Sequence, residues 1–162
     1  MRTDRALALA ALICVLAPVR AADRDLAVPV DVAAEVLAAE DARSATPSLV
    51  RRLSAPSPAV RARVGLALGR IGTPALVAPL IAQQKSEPDS HVRAELCLAL
   101  GLAGRPEATK ILVQSLGMDP SPAVRTRAAH ALGFVRSPLT VPALLAALPP
   151  PGKDIDCAGD EL

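Results

Sequence analysis

Ser57-Pro58-Ala59-Val60-Arg61 and Leu68-Gly69-Arg70-Ile71-Gly72-Thr73-Pro74 are the two halves of a pattern that returns every 32 residues. Val60-Arg61 recurs as Val92-Arg93 and Val124-Arg125, and Leu68-Gly69 as Leu100-Gly101 and Leu132-Gly133. Pro56, Pro88 and Pro120 keep the spacing, as do Pro74, Pro106 and Pro138, and Leu80, Leu112 and Leu144. A fixed period of about 20–50 residues marks a solenoid, in which each unit buries its apolar face only against its neighbours.

Within residues 56–87, Ser57 is a good N-cap and Pro58 follows where a helix loses nothing by lacking an N–H. Asp89-Ser90 and Ser121-Pro122 repeat that start. Val60, Val64, Ala67, Leu68 and Ile71 then form one apolar stripe of a helix, here called A. Gly72 and Gly104 stand where a left-handed C-terminal residue is wanted, whereas Arg136 takes that place in the last unit and weakens the stop. Thr73-Pro74 opens a turn, and a second helix, B, turns Val77, Leu80, Ile81 and Gln84 inward. Pro79 and Pro142 are placed in the first turn of their B helices, because a proline breaks a helix interior. Gly65, Cys97 and Ala129 are equivalent, as are Ala67, Ala99 and Ala131, so small side chains let neighbouring A helices approach closely.

The motif from Ala59-Val60-Arg61 through Gly72-Thr73-Pro74, with Val135 and Pro138 through Leu145, resembles the HEAT-repeat family. The closest likeness is to the short HEAT-like repeats of the phycobilisome lyase type. The resemblance implies an all-α fold, a right-handed α–α superhelix of about four helical pairs. It implies little about activity, because relatives range from bilin lyases and hydroxylases to plain scaffolds. Shifted back by one period, Val28, Val32, Val36, Pro47 and Leu49 align with Val60, Val64, Leu68, Pro79 and Ile81. Residues 22–55 therefore read as a degenerate N-terminal capping repeat, and 56–148 as three regular ones.

Met1 to Ala21 reads as a signal peptide: Arg2 and Arg5, an apolar run from Ala6 to Ala17, and small residues in Val19-Arg20-Ala21. This predicts a secreted or periplasmic protein with no membrane span once the signal is removed; the alternatives are an uncleaved anchor or a start codon placed too far upstream. Pro149-Pro150-Pro151-Gly152 ends the last helix, and residues 149–162 have the composition of a disordered acidic tail. An uncovered end would expose Leu144, Leu145 and Leu148, inviting a partner or self-association through the C-terminal repeat.

Charge is unevenly spread. Residues 43–136 carry 13 basic and 5 acidic side chains, residues 22–42 carry 1 and 6, and residues 149–162 carry 1 and 4. A basic middle could draw an acidic partner. The periodic Arg61, Arg93 and Arg125 offer another account, since the resemblance implies that this arginine braces neighbouring units against loop acids. Glu87 and Asp119 stand ready for it, and Ala55 holds the equivalent place before the first regular unit. Arg63 and Arg127 share a further position with Glu95 between them. Nucleic acid is disfavoured, because Phe134 is the sole aromatic and offers no stacking platform.

No nucleophile order, phosphate loop or Cys-x-x-Cys occurs, so no catalytic residue, metal ligand or cofactor is expected. His91 and His130 lack the adjacent glutamate used by HEAT-repeat hydroxylases that bind iron. Cys97 falls on a buried helix position, Cys14 leaves with the signal, and Cys157 lies in the tail. The expected function is a non-catalytic scaffold that binds another protein through exposed B-helix residues, with Arg51, Gln83, Lys110, Gln114 and Ser115 as candidates. The alternative is an enzyme, or an accessory subunit, of the bilin lyase or hydroxylase branch.

Overall fold

The computed structural model describes residues 27–148. The expected signal peptide, Cys14, Cys157 and the acidic tail lie outside the described residues. Among those described, eight α-helices follow one another with no strand: α1 (Val30–Asp41), α2 (Pro47–Arg51), α3 (Pro58–Ile71), α4 (Pro74–Ser86), α5 (Ser90–Ala103), α6 (Thr109–Met118), α7 (Pro122–Leu132) and α8 (Thr140–Ala147). Short 3-10 turns extend α2 through Ser54 and precede α6 from Pro106. The fold is an all-α solenoid. The A layer is α1, α3, α5 and α7, and the B layer is α2, α4, α6 and α8.

The regular A helices start and stop as their end residues dictate. Asp89 caps α5 by accepting a hydrogen bond from the Val92 N–H at 3.0 Å. Gly72 and Gly104 end α3 and α5 with φ of 65° and 63°, a backbone that only glycine adopts without strain. Arg136 stands at the third such place, and α7 stops at Leu132, short of the Val135 that matches Ile71. The chain then closes through tight bonds from the Phe134 and Val135 N–H groups to the carbonyls of Ala131 and Leu132.

The expected place of Pro79 is corrected. Thr73-Pro74 starts α4 rather than opening a longer turn, so Pro79 lies inside the helix. The carbonyl it leaves without an N–H partner is that of Ala75, an exposed residue in the first turn, where water can serve. Pro142 does sit in the first turn of α8.

The core runs along the A layer and its seam with the B layer. Val64, Leu68, Leu80, Leu96, Leu100, Leu112 and Leu132 are wholly buried. The A helices meet backbone to backbone. A Cβ placed on Gly69 would lie 2.4 Å from the Ala99 carbonyl oxygen, and one on Gly101 would lie 2.7 Å from the Ala131 Cα. Leu37 holds the glycine place in α1, and the contact of α1 with α3 is looser than those of α3 with α5 or α5 with α7.

Each B helix leans forward. The α2 segment packs on α3, α4 on α5 and α6 on α7, more than on the A helix of its own pair. The last B helix, α8, has no following A helix among the described residues.

Candidate functional site

The Val-Arg motif builds a chain of clamps along one edge of the stack. Arg61 Nη1 donates to the carbonyls of Ala55 and Pro56, each at 2.8 Å, tying α3 to the loop before it. Its Nε and Nη2 donate to both oxygens of Glu87, at 2.8 and 2.7 Å, holding the loop that leads to α5. Arg93 repeats this: Nη1 bonds the carbonyls of Glu87 and Pro88, while Nε and Nη2 take Asp119 at 2.8 and 3.0 Å. Such two-point pairs are the strong, geometrically selective form of the arginine–carboxylate bond. The bracing role expected for Arg61 and Arg93 is what the geometry displays.

Arg125 completes only half of the pattern. Its Nη1 bonds the carbonyls of Asp119 and Pro120, at 2.9 and 3.1 Å. The place equivalent to Glu87 and Asp119 in its unit is Pro151, outside the described residues. Among the described residues Arg125 has no carboxylate partner.

Burial opposes the charge on Glu87, yet hydrogen bonds from Arg61, Gln83 and the Asp89 N–H outweigh it and hold its pKa below the usual carboxylate value. Asp119 is lowered chiefly by its bonds to Arg93, against the cost of burial. The second row is split. Glu95 accepts from Arg127 at 3.3 Å, but Arg63 turns to Glu40 of α1, bonding both its oxygens at 3.1 and 3.2 Å.

The binding candidates on the B helices divide. Arg51, Lys110 and Gln114 are exposed. Gln83 is half-buried and donates to Glu87 at 2.8 Å. Ser115 is not exposed at all: at 7% it is buried under the forward-leaning seam, where it accepts from Gln84 Nε2 at 3.3 Å. Sequence spacing puts Ser115 outward, level with Gln83, but in α6 that position turns into the stack against Gln84 of α4 and Cys97 of α5. The same amide lies 3.3 Å from Cys97 Sγ, while its Oε1 is buried without a hydrogen-bond partner among the described residues. Burial pushes the Cys97 thiol up to about 11. His91 and His130 are both exposed, and among the described residues no group of His, Cys, Asp or Glu is placed to hold a metal ion.

At the open end an apolar surface has no neighbour among the described residues. A cleft of about 830 Å³ lies between α7 and α8, lined by Leu116, Gly117, Arg125, Thr126, Ala129, Val141, Leu144 and Leu145. Val141, Leu145 and Leu148 are each at least 60% exposed, and Thr140 is the only buried residue of α8.

A family model of HEAT repeats matches residues 20–93 and 77–155, which together take in the whole described stack. The chain belongs to the HEAT-repeat family. No curated protein matches it. In this HEAT-repeat chain the clamps of Arg61 and Arg93 hold successive loops together, and Arg125, without a carboxylate among the described residues, stands at the open end. Sequence reasoning marked Leu144, Leu145 and Leu148 there but not Arg125. The signal was present: Arg125 keeps the Val-Arg motif while proline replaces its acid. Among the described residues no helix is long and apolar enough to cross a membrane.

Proposed function

We propose that this protein is a non-catalytic scaffold that binds another protein at the open end of its repeat stack, in the cell envelope or outside the cell. The observation that carries the proposal is α8. Val141-Pro142-Ala143-Leu144-Leu145-Ala146-Ala147 is apolar around the whole helix, and a helix of that kind belongs in an interior. Here most of it faces solvent beside a cleft that also holds the Arg125 guanidinium, which among the described residues has no carboxylate bound to it. A contiguous apolar patch with a polar rim is the usual form of a protein-binding surface. The n-region, apolar run and small residues of Met1–Ala21 support export. The Val-Arg and Leu-Gly pairs support the short-repeat, phycobilisome-lyase-like type. Exposed Arg51, Lys110 and Gln114 serve as secondary contacts on the B face.

The test is affinity capture from the native envelope fraction with the parent chain and with Leu145→Asp. A specific partner that binds the parent and leaves the variant supports the scaffold at this end. A partner retained equally by both, with the variant folded by circular dichroism, places the binding surface elsewhere and overturns the proposal.

A further inference from the structure

The interior junctions show what kind of element covers this face. At each one, an A helix lies over the A helix before it and beneath the B helix that leans forward. That covering helix has two recurring marks. A carboxylate stands three residues before its first turn: Glu87 before Ser90, and Asp119 before Pro122. A small residue follows twelve positions after the acid, at Ala99 and Ala131, where the glycine of the preceding A helix makes backbone contact. The carboxylate is taken by the Val-Arg guanidinium at 2.7–3.0 Å.

The open end presents the same surface with nothing on it among the described residues. Arg125, Ala129 and Gly133 repeat Arg61, Gly65 and Gly69 in order, and α8 waits for the helix that α4 and α6 each have. A Cβ on Gly133 would meet only the His130 carbonyl oxygen, at 3.1 Å, whereas those on Gly69 and Gly101 would run into the next helix. We propose that the cleft between α7 and α8 takes a helix of a partner protein led by an Asp or Glu, with a small residue about twelve positions on. The carboxylate pairs with Nε and Nη2 of Arg125, and the apolar flank of the helix covers Val141 and Leu145. This rests on the scaffold proposal and names the chemistry of its partner.

A second copy of this chain is a poorer fit. Asp23 has the repeat position of the leading acid, but twelve residues on α1 carries Glu35, which is engaged with Arg52 at 2.8 Å and Ser48 at 2.6 Å. Stacking in that register would bring a glutamate side chain, already held by Arg52 and Ser48, to the glycine contact, where the interior junctions admit only the alanines Ala99 and Ala131.

The chain itself supplies the probe: a labelled peptide of residues 87–104, carrying His91→Lys with the lysine joined to Glu95 by a lactam on the outer face, so that it stays helical. Fluorescence anisotropy with the full chain should show saturable binding. Glu87→Gln in the peptide, or Arg125→Gln in the chain, should weaken it at least tenfold. Ala129→Leu in the chain should abolish it by filling the approach, and Lys85→Gln, at an exposed position of α4 away from the cleft, should leave it unchanged. Leu145→Asp provides a second receptor variant should Arg125→Gln lose its fold. Absence of binding, or binding indifferent to Glu87→Gln, overturns the proposal. At least tenfold tighter binding by a chain with Asp154→Asn and Asp156→Asn would assign the cleft to this chain's own acidic segment and overturn it as well. So would sedimentation of the parent as a multimer that Arg125→Gln returns to monomer. If Leu145→Asp releases a captured partner but Arg125→Gln does not, the scaffold stands and the acid-led helix alone falls.

Discussion

Arg61, early in its unit, and Glu87, the last residue of the same unit, are joined by two parallel bonds of 2.8 and 2.7 Å, and the Glu87 side chain is entirely out of solvent. Removing one member of a buried pair leaves the other charge uncompensated. Glu87→Gln should therefore lower stability by about 3–5 kcal/mol. Glu95→Gln breaks the Arg127 pair, whose arginine is 40% exposed, and should cost less than about 1 kcal/mol. Urea unfolding of both variants beside the parent checks the contrast; equal losses would mean that Glu87 is not the stronger clamp.

The carboxylates of the two complete clamps, Glu87 and Asp119, set an acid limit. Glu87 and Asp119 titrate below their ordinary values of 4.5 and 3.8 in the folded chain. A carboxylate with a depressed folded pKa contributes stability above its unfolded pKa and loses it as pH falls through the folded one. Stability should hold down to about pH 5 and then fall progressively below pH 4.5. Glu87→Gln should flatten that fall, as followed by the urea midpoint between pH 7 and pH 3. An unchanged slope would show that Glu87 does not carry the titration.

Two glycines should respond in opposite directions to alanine. At Gly69 the added Cβ would press into the Ala99 backbone at 2.4 Å, which cannot yield as a flexible side chain can. Gly69→Ala should destabilise by about 1–3 kcal/mol. Gly117 lies in α6 with nothing within 4 Å of a new Cβ. Gly117→Ala should be stabilising by about 0.5–1 kcal/mol, through lower backbone entropy in the unfolded chain. Thermal melts of the pair decide it.

Leu100 and Val36 hold the same repeat position, and both are fully buried. Leu100 belongs to an inner unit with neighbours on two sides. Leu100→Ala should cost about 2–5 kcal/mol. Val36→Ala should cost less, because Val is smaller and α1 rests on α3 by a looser contact, so the end can fray alone. Equal damage would show that the first unit is no frayed cap.

Cys97 should resist thiol reagents while the fold is intact. Its thiol is buried and its pKa is pushed up to about 11. The thiolate, which is the reactive form, is scarce at pH 8. Peptide mapping after alkylation should find Cys97 modified only in denaturant; rapid labelling at pH 8 in buffer would mean that the α4–α5–α6 seam opens.

What the sequence made legible follows from which residues act locally. Gly72 and Gly104 announce left-handed helix ends, and the Val-Arg period announces the clamps. Pro79 was misplaced because helix breaking depends on where the helix began, and Thr73-Pro74 moved that start upstream. Ser115 escapes a reading by spacing because its burial comes from Gln84 of the preceding B helix and Cys97 of α5, a packing relation that no spacing within one helix encodes. The half-used Arg125 lay between these cases. Its motif was visible, but the meaning of the missing acid needed the two complete pairs for comparison.

Each clamp is closed within one period. Arg61 and Glu87 both belong to residues 56–87, and Arg93 and Asp119 both belong to 88–119. A tandem duplication of 88–119 would therefore add an arginine and its acid together, already matched, and would leave the other clamps as they were, setting only one Glu95 beside its own copy in place of Arg127. The clamps therefore set no limit on the number of units, and the array can lengthen or shorten by whole periods in the gene with each buried acid still opposite its own arginine.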